Sequence, residues 1–427
     1  MRITMAVALG LTMIPLAQAQ TEIAPLVAQL GSRDYREREK ANKALLALGP
    51  KSLSALKAEL AKCDVPEVQR RLETLVERFA IEQLIAPSRV TVNANNQQIR
   101  LVLKDICKQA GYGLNESIGT ELKVTLELKD VPFWEAVEKI CAGSGISTTF
   151  QDDDRRTLNA HQSGSVSPHV DCAGTFRFTA TNINTSRNVQ LSNIPLRGNH
   201  RQSQNEYMNL NVQFAGEPKS PVVGVGTATL DKAVDEEGSS LVMPITEVNS
   251  LPEVRYYNNG MYRSLNQNFS VQLHRGDRRA TTIKELSGKV NLLLLRDVRP
   301  EVEIEKVLEP GKKKMAGRTI EIELGELAQA NGGYSAQITL HQRKPDPNDY
   351  SWWGNVYQRL ELQDEKGNKY HPNGVQEQNV GTGNITMKIE FSVPEGKKLG
   401  KPHKLVLMEW ITVEKAFAFS FKDVPLP

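Results

Sequence analysis

The sequence has few cysteines, few aromatic residues and no excess of charge of either sign. Its 427 residues include four cysteines, too few for a small scaffold held by disulfides, so packed apolar cores must stabilise the fold. The 53 lysine and arginine residues nearly balance the 50 aspartate and glutamate residues, which gives no electrostatic argument for binding to nucleic acid or to an anionic membrane. No apolar run is long enough to cross a membrane as a helix.

Known catalytic motifs are also missing from the sequence. There is no metalloprotease helix motif, P-loop, Gly-x-Ser-x-Gly elbow or dinucleotide-binding fingerprint. The seven histidines are scattered, and His161, His169 and Cys172 lack the spacing of a zinc site. We therefore predict a protein that is not an enzyme, with no catalytic residue, no cofactor and no bound metal. A hydrolase whose site is assembled between distant β segments is the alternative.

The first residues have the pattern of a secretory signal. Met1 and Arg2 give a positive start, the apolar stretch "MAVALGLTMIPLA" follows, and "AQAQ" supplies the small residues that signal peptidase recognises. We predict that residues 1–19 are removed after Ala19 and that the chain is exported. A retained N-terminal anchor is the alternative.

Residues 20–86 have the periodicity of short amphipathic helices. In "DYREREKANKALLALGP", Ala41 and Leu45 fall on one apolar stripe, and Gly49-Pro50 is a stop signal. The stretch "DVPEVQRRLETLVERF" repeats the 3.6-residue period. Together these stretches resemble HEAT-type helical repeats, which implies packed helix pairs. A plain helical bundle is the alternative.

Residues 87–152 combine the periods of strands and helices. The stretches "RVTVNAN" and "ELKVTLELKD" alternate apolar and polar residues, as half-buried strands do. The stretch "QQIRLVLKDICKQAG" and the residues after Asp130 have the apolar stripe of a helix. The predicted order is strand, helix, strand, strand, helix, strand. We expect one half-apolar sheet that two helices cover on one face.

Two stretches of this segment, "VTVNANNQQIRLVLKDICKQAGYGLN" and "LKVTLELKDVPFWEAVEKICAGSGIS", resemble the secretin and TonB short N-terminal (STN) domain. The strand-Asp-Val-Pro-helix junction is the strongest part of the resemblance. In that family the domain is a periplasmic docking or signalling module and not a catalyst. The resemblance implies contact with a partner protein in a bacterial envelope. It departs from the family in that a β-rich region follows, rather than a membrane barrel or ring-forming module.

The remaining chain is β-rich after a polar segment, 153–171, that we predict to be a linker or a long hairpin. The stretch "TLDKAVDEEGSSL" aligns with "RLELQDEKGNKY" further along, and "YMNLNVQFAGEP" aligns with "YSAQITLHQRKP". The aligned pieces keep their order, so we predict two copies of an all-β unit, 172–299 and 300–427. Their length and strand spacing fit β-sandwiches. The predicted fold class is multidomain α+β.

Several acidic residues recur in these copies beside a glycine turn. They are Asp235, Glu236, Glu237, Asp364 and Glu365. Because they recur at the same turn, hairpin chemistry explains them better than paired catalytic carboxylates do, since those would need a cleft between them.

Two other groups of side chains are candidate functional residues. Trp352, Trp353 and Tyr357 cluster in "DYSWWGNVYQ", where exposed rings would stack on a sugar or anchor a protein partner. A role in the core of the β unit is the alternative. Cys107 and Cys141 lie on the two helices of one small module, and they are either a disulfide pair or small buried core residues.

These observations favour a non-enzymatic envelope protein. The helical segment and the STN-like domain would dock on another envelope protein, and the β units would act as spacers or as a second binding surface. A glycan-binding protein that uses the tryptophan loop is the alternative function.

Overall fold

The computed structural model describes residues 16–151, 156–164, 166–189, 204–243, 263–275, 279–330, 332–345, 356–394 and 396–427. Strands outnumber helices, and the fold is α+β with several sheets. The chain divides into two compact units, Met1–Ala86 and Pro87–Pro427.

The first unit is helical. Its helices are α1 (Leu16–Leu30), α2 (Tyr35–Leu48), α3 (Leu53–Leu60) and α4 (Pro66–Ile85), with a 3-10 turn at Pro50–Ser52. The Asp34 carboxylate caps α2 by accepting a hydrogen bond from the Arg36 amide at 2.8 Å, and Gly49, at a φ of 68°, ends that helix. Apolar residues of all four helices share one core. None of the described helices is long and apolar enough to cross a membrane.

The second unit begins with a small α/β module, residues 87–162. Its elements are β1 (Arg89–Gln98), α5 (Ile99–Ala110), β2 (Gly113–Ser117), β3 (Lys123–Pro132), α6 (Phe133–Cys141), β4 (Ile146–Phe150) and β5 (Thr157–Gln162). Gly111 ends α5 in the left-handed conformation at a φ of 76°. The first six elements follow the order that the sequence predicts.

The strands of the α/β module form two sheets, which differs from the single sheet that we expected. β1 pairs with β3, whereas β2, β5 and β4 form a separate three-stranded sheet in that order. Helix α5 contacts β1 and β2, one strand from each sheet. Its buried stripe and that of α6 therefore serve a core to which both sheets contribute.

Part of the predicted linker is a strand. Within 153–171, β5 pairs antiparallel with β4 and parallel with β2, so the described part of this segment completes a hairpin and not a linker. Its side chains Leu158 and Ala160 are buried in the core of the module. A strand of this length needs only two apolar residues on its core face, because alternate side chains point away from the core. For this reason a stretch of polar composition can form a strand.

The β-rich region contains two repeats. Repeat A comprises β6 (Val170–Ala173), β7 (Phe176–Val189), β8 (Gln204–Gly216), β9 (Val222–Asp235), β10 (Asn266–Leu273) and β11 (Thr282–Glu305). Repeat B comprises β12 (Lys313–Ala316), β13 (Ile320–Leu324), β14 (Ala328–Ala330), β15 (Gly333–Gln342), α7 (Val356–Arg359), β16 (Leu360–Asp364), β17 (His371–Gly381), β18 (Asn384–Ser392) and β19 (Pro402–Pro425).

The two repeats share one topology. Repeat A has a sheet in the order β10-β8-β7-β6, and repeat B has β18-β15-β13-β12 in the matching places. β9 pairs with β11, as β16 pairs with β19. Strands β14 and β17 of repeat B have no counterpart among the described strands of repeat A.

The aligned acidic turns also match bond for bond. Asp235 Oδ1 accepts from the amides of Glu237 and Ser239 at 3.0 and 2.7 Å. Asp364 Oδ1 accepts from the amides of the residues two and four positions on, both at 2.9 Å. In each turn a glycine with positive φ follows the aspartate by three residues. These carboxylates therefore hold hairpins, as we interpreted them from the sequence.

The two repeats are joined by their last strands. β11 and β19, each of 24 residues, pair with each other from Thr282 opposite Pro425 to Glu305 opposite Lys404. The first half of β11 lies beside β9 in repeat A, and its second half, with Val302 and Ile304, enters the core of repeat B. β19 does the reverse. The predicted boundary between residues 299 and 300 thus lies inside one continuous strand.

Candidate docking surface on the α/β module

Strand β3 is an open edge of the two-stranded sheet. It pairs with β1 from Arg89 opposite Pro132 to Gln98 opposite Lys123, and no other strand lies beside it in the described parts of the chain. The backbone N–H and C=O groups along its outer side are therefore available to an added strand.

The side chains of β3 differ between its two faces. The exposed face is polar and carries Lys123, Thr125, Glu127 and Lys129. The other face carries Val124, Leu126 and Leu128, which pack against the core of the module but stay half-exposed. On β1, Val92 opposite Leu128 and Ala94 opposite Leu126 are buried, whereas Gln97 opposite Val124 is exposed. Because β1 is the other edge of this two-stranded sheet, edge position alone does not explain the difference, and the apolar surface that stays exposed lies on β3, where an added strand would cover it.

The module is fixed to repeat A by a buried carboxylate. The Glu217 side chain, in the loop after β8, is fully buried. Its two oxygens accept hydrogen bonds from the Ser88 amide at 3.0 and 3.1 Å, and one also accepts from the Tyr112 hydroxyl at 2.7 Å. Burial, first of all, and the Glu217 charge raise the pKa of Tyr112, so its hydroxyl remains a donor at neutral pH.

A lysine extends this network to the surface. The Ser88 and Tyr112 hydroxyl oxygens are 3.0 Å apart, and Lys219 Nζ donates to Ser88 Oγ at 3.1 Å. The Tyr112 hydroxyl has a single hydrogen, which it donates to Glu217, so in the contact between the two hydroxyls Ser88 is the donor and Tyr112 the acceptor. Each polar atom of the group therefore has a partner, as buried polar networks require.

Arg177 on β7 makes a second junction with the module. Its guanidinium donates to Glu138 Oε1 at 2.9 Å and to the hydroxyl and carbonyl oxygens of Thr148 at 2.6 and 2.5 Å. It also lies over the ring of the buried Trp134, 4.5 Å from the ring centre. Arg177 therefore joins α6 and β4 of the module to the first sheet of repeat A.

Apolar packing runs through the same junction. Ala215 and Leu265 of repeat A belong to the core of the module, and the Asn266 side chain donates to the Phe150 carbonyl at 2.7 Å. The module and repeat A therefore share one core, and the open edge of β3 is presented from a fixed support.

The four cysteines are free thiols, so Cys107 and Cys141 are not bonded to each other. Cys107 is buried and Cys141 is half-buried, and both belong to the core of the module. Burial raises the pKa of each thiol to about 12. The same shift applies to Cys172, which packs on this core from β6. These thiols behave as small apolar residues of low reactivity.

The predicted aromatic cluster is only partly within the described residues. Trp352 and Trp353 lie outside them. Tyr357 lies in α7, where it is half-buried and packs against the core of repeat B. Its position fits the alternative of a core role that we weighed from the sequence.

The histidines form no metal centre in the described residues, where no group of three potential ligands was found. His161 is an exposed residue of β5. His169 Nδ1 lies 3.2 Å from the Lys422 carbonyl, and Cys172 is in the apolar core.

Sequence reasoning missed the residues of the junction. Glu217 and Ser88 are 129 positions apart, and Arg177 and Thr148 are separated by 29. No local period or motif links such residues. The only signal was the presence of single charged residues in otherwise apolar strands or tight loops.

Comparison with protein-family models, with curated protein sequences and with solved structures gave no match. The resemblances to the STN domain and to HEAT repeats therefore rest on the residues quoted above.

Proposed function

We propose that this chain is a non-enzymatic docking protein of the bacterial envelope, and that a partner protein adds an extended segment to the open edge of β3. The observation that carries the proposal is the combination of unpaired backbone groups and half-exposed apolar side chains along one strand. An added strand would form hydrogen bonds with the unpaired backbone groups and cover the half-exposed apolar side chains, as in other cases of β-strand addition.

The side chains of β3 also indicate the chemistry of the partner segment. Its residues that face the helices would be apolar, because Val124, Leu126 and Leu128 line that side. Those on the outer face would meet two lysines and one glutamate, Lys123, Lys129 and Glu127, so a segment of net negative charge is favoured.

Site-specific cross-linking in the producing bacterium tests the proposal. A photoreactive amino acid replaces Glu127 on β3 in the exported full-length chain, and the matched control carries it at Thr412, an exposed residue of β19. We expect a discrete adduct from position 127 and none from position 412. In a second variant, Lys123→Glu with Lys129→Glu, the yield of the adduct should fall. Equal adducts at both positions, or none at position 127, would contradict the proposal.

A further inference from the structure

One face of the first sheet of repeat A is built from uncharged polar side chains. On β8, Leu210 and Val212 are buried in the core. The residues that alternate with them, Asn209, Asn211 and Gln213, are half-exposed or exposed. Because successive side chains of a strand point to opposite faces of its sheet, these three residues lie together on the outer face.

The neighbouring strands β7 and β10 continue this face on both sides of β8. Each of the three outer residues of β8 lies opposite one residue on each neighbouring strand, and residues paired in this way share a face. The paired residues are Thr179, Asn182, Asn184, Asn268, Ser270 and Gln272. All nine side chains end in an amide or a hydroxyl group, and none carries a charge. We call these nine residues the amide face.

The matching face of repeat B shows that the fold does not require this composition. There β15 takes the place of β8, and its outer residues pair with Glu321 and Glu323 on β13 and with Lys388 and Glu390 on β18. Such a charged surface is usual for a sheet face in contact with water. The lack of charge on the amide face is therefore a property of the sequence of repeat A and not of the shared topology.

Hydrogen bonds fix the orientation of the central row of the amide face. Asn211 Nδ2 donates to Asn182 Oδ1 at 2.5 Å, and Ser270 Oγ donates to Asn211 Oδ1 at 2.6 Å. In these contacts Asn182 uses its oxygen and Ser270 uses its hydrogen. The amide N–H groups of Asn182 and the lone pairs of Ser270 thus remain to bind hydroxyl groups, and their positions are set before a ligand arrives.

An exposed tyrosine extends the amide face at one end. Tyr207 precedes Asn209 by two positions on β8, so it lies on the same side of the sheet, and its side chain is 44% exposed. At the other end, Arg177 and Ala215 pair with each other in the row after Gln213, and both contact the α/β module. From Gln213 to Tyr207 the strand rises by about 20 Å, at about 3.3 Å per residue, which is enough for several rings of an extended oligosaccharide.

We propose that the amide face and Tyr207 bind a neutral polysaccharide, independently of the docking at β3. Each sugar hydroxyl is both a donor and an acceptor, as the amide side chains of the face are, and the ring of Tyr207 stacks on the apolar side of a sugar ring. An anionic polymer or a nucleic acid would need cations, which none of these residues supplies. A protein partner would need apolar and aromatic anchors at the centre of the interface, and the nine residues supply none beside Tyr207.

Affinity electrophoresis of the full chain in native gels tests the proposal. Each gel contains one soluble polysaccharide, either a neutral polymer (dextran, laminarin, xyloglucan or galactomannan) or the anionic polygalacturonate. We expect at least one neutral polymer to retard the chain and polygalacturonate to leave its mobility unchanged. Tyr207→Ala and Asn211→Ala should each weaken binding to that polymer about threefold to tenfold in Kd, because each removes one stacking or hydrogen-bonding group. Tyr207→Phe keeps the ring and should bind as the wild type does.

The matched control is Gln337→Ala on β15, an exposed amide on the corresponding face of repeat B, which should leave the Kd unchanged. Circular dichroism verifies the fold of each variant, and Gln272→Ala, exposed on β10, replaces Asn211→Ala if that variant does not fold. A wild-type chain that no neutral polymer retards overturns the proposal. Wild-type affinity of both Tyr207→Ala and the variant of the amide face would overturn it too, as would equal retardation by polygalacturonate.

Photo-cross-linking distinguishes a polysaccharide from a protein on this face. A photoreactive amino acid replaces Asn268, an exposed residue of β10, in the chain expressed in the producing bacterium. We expect no discrete protein adduct from this position. A discrete protein adduct would identify a protein as the occupant and overturn the proposal.

Discussion

The buried Glu217 network allows a quantitative test of the junction between the α/β module and repeat A. Replacing Glu217 by alanine removes the acceptor of the Ser88 amide and of the Tyr112 hydroxyl, at the distances of 2.7–3.1 Å given above. A buried donor left without an acceptor costs about 1–3 kcal/mol, so the two together should cost about 2–6 kcal/mol. The cost of Glu217→Ala lies at the lower end of this range if the Tyr112 hydroxyl donates instead to Ser88 Oγ, 3.0 Å away.

Glu217→Gln separates the hydrogen bonds from the charge. Glutamine keeps one oxygen that accepts from Ser88 or Tyr112. Its other polar atom is an amide nitrogen, whose N–H groups would face the remaining N–H or O–H donor. We expect a loss of about 1–3 kcal/mol. The loss of attraction to Lys219, 3.6 Å away, adds little because that lysine side chain is 28% exposed and can be hydrated.

Hydrogen exchange is the appropriate assay because a chain of several units does not unfold in one step. The free energy of opening is measured for peptides that cover β1 and for peptides that cover β15. Glu217→Ala should lower the first value and leave the second within about 0.5 kcal/mol, and Glu127→Ala, an exposed change on β3, should alter neither. A loss below about 1 kcal/mol at β1 would refute the idea that this carboxylate holds the junction.

Three further predictions follow from other contacts. Arg177→Ala should lower the free energy of opening of α6 by about 2–3 kcal/mol, since it leaves the buried Thr148 oxygens without their donor. Arg177→Lys should restore only part of this free energy, because an ammonium group cannot reproduce the geometry of the guanidinium. An unchanged hydrogen-exchange rate in Arg177→Ala would contradict the role of this side chain. Hydrogen bonds from Asn368 and from backbone amides lower the pKa of Asp364 from 3.8 to about 2, so its carboxylate contributes stability above pH 4 that is lost as the pH falls towards 2; acid unfolding of repeat B should show less of this loss in Asp364→Asn. Because burial raises the pKa of Cys107 to about 12, iodoacetamide should not modify this thiol in the folded chain at pH 8, and mass spectrometry that finds rapid modification would show that the core is open.

The module shows what the sequence could predict about the fold. Its helices carry unbroken apolar stripes and β3 alternates over its length, so element type and order followed from periodicity alone. The division into two sheets was not predictable, because the same alternating pattern suits a strand in either sheet. β5 was missed since only Leu158 and Ala160 face the core.

The candidate docking surface was predictable only in part. The resemblance to the STN domain directed the docking hypothesis to the segment that contains β3. An open edge, however, is a property of strand pairing, and the pattern of β3 does not reveal on which side β1 lies. Glu217 and Arg177 illustrate the same limit. Each is a single charged residue whose structural role depends on hydrogen-bond partners from distant segments. The periodicity of the local sequence therefore cannot predict that role.

The sequence also did not predict that β11 and β19 each contribute residues to the cores of both repeats. Both halves of β11 read as ordinary strand, and Pro300 marks a plausible boundary because proline favours edges and bulges. The structure places a register shift between Pro300 and Val302 and continues the strand through it. The last strand of each repeat thus adds core residues to the other, from Ile304 in one direction and Phe419 in the other. Two repeats joined in this way cannot unfold independently without exposing apolar residues of both, so a boundary drawn from sequence alone does not define a unit that is stable by itself.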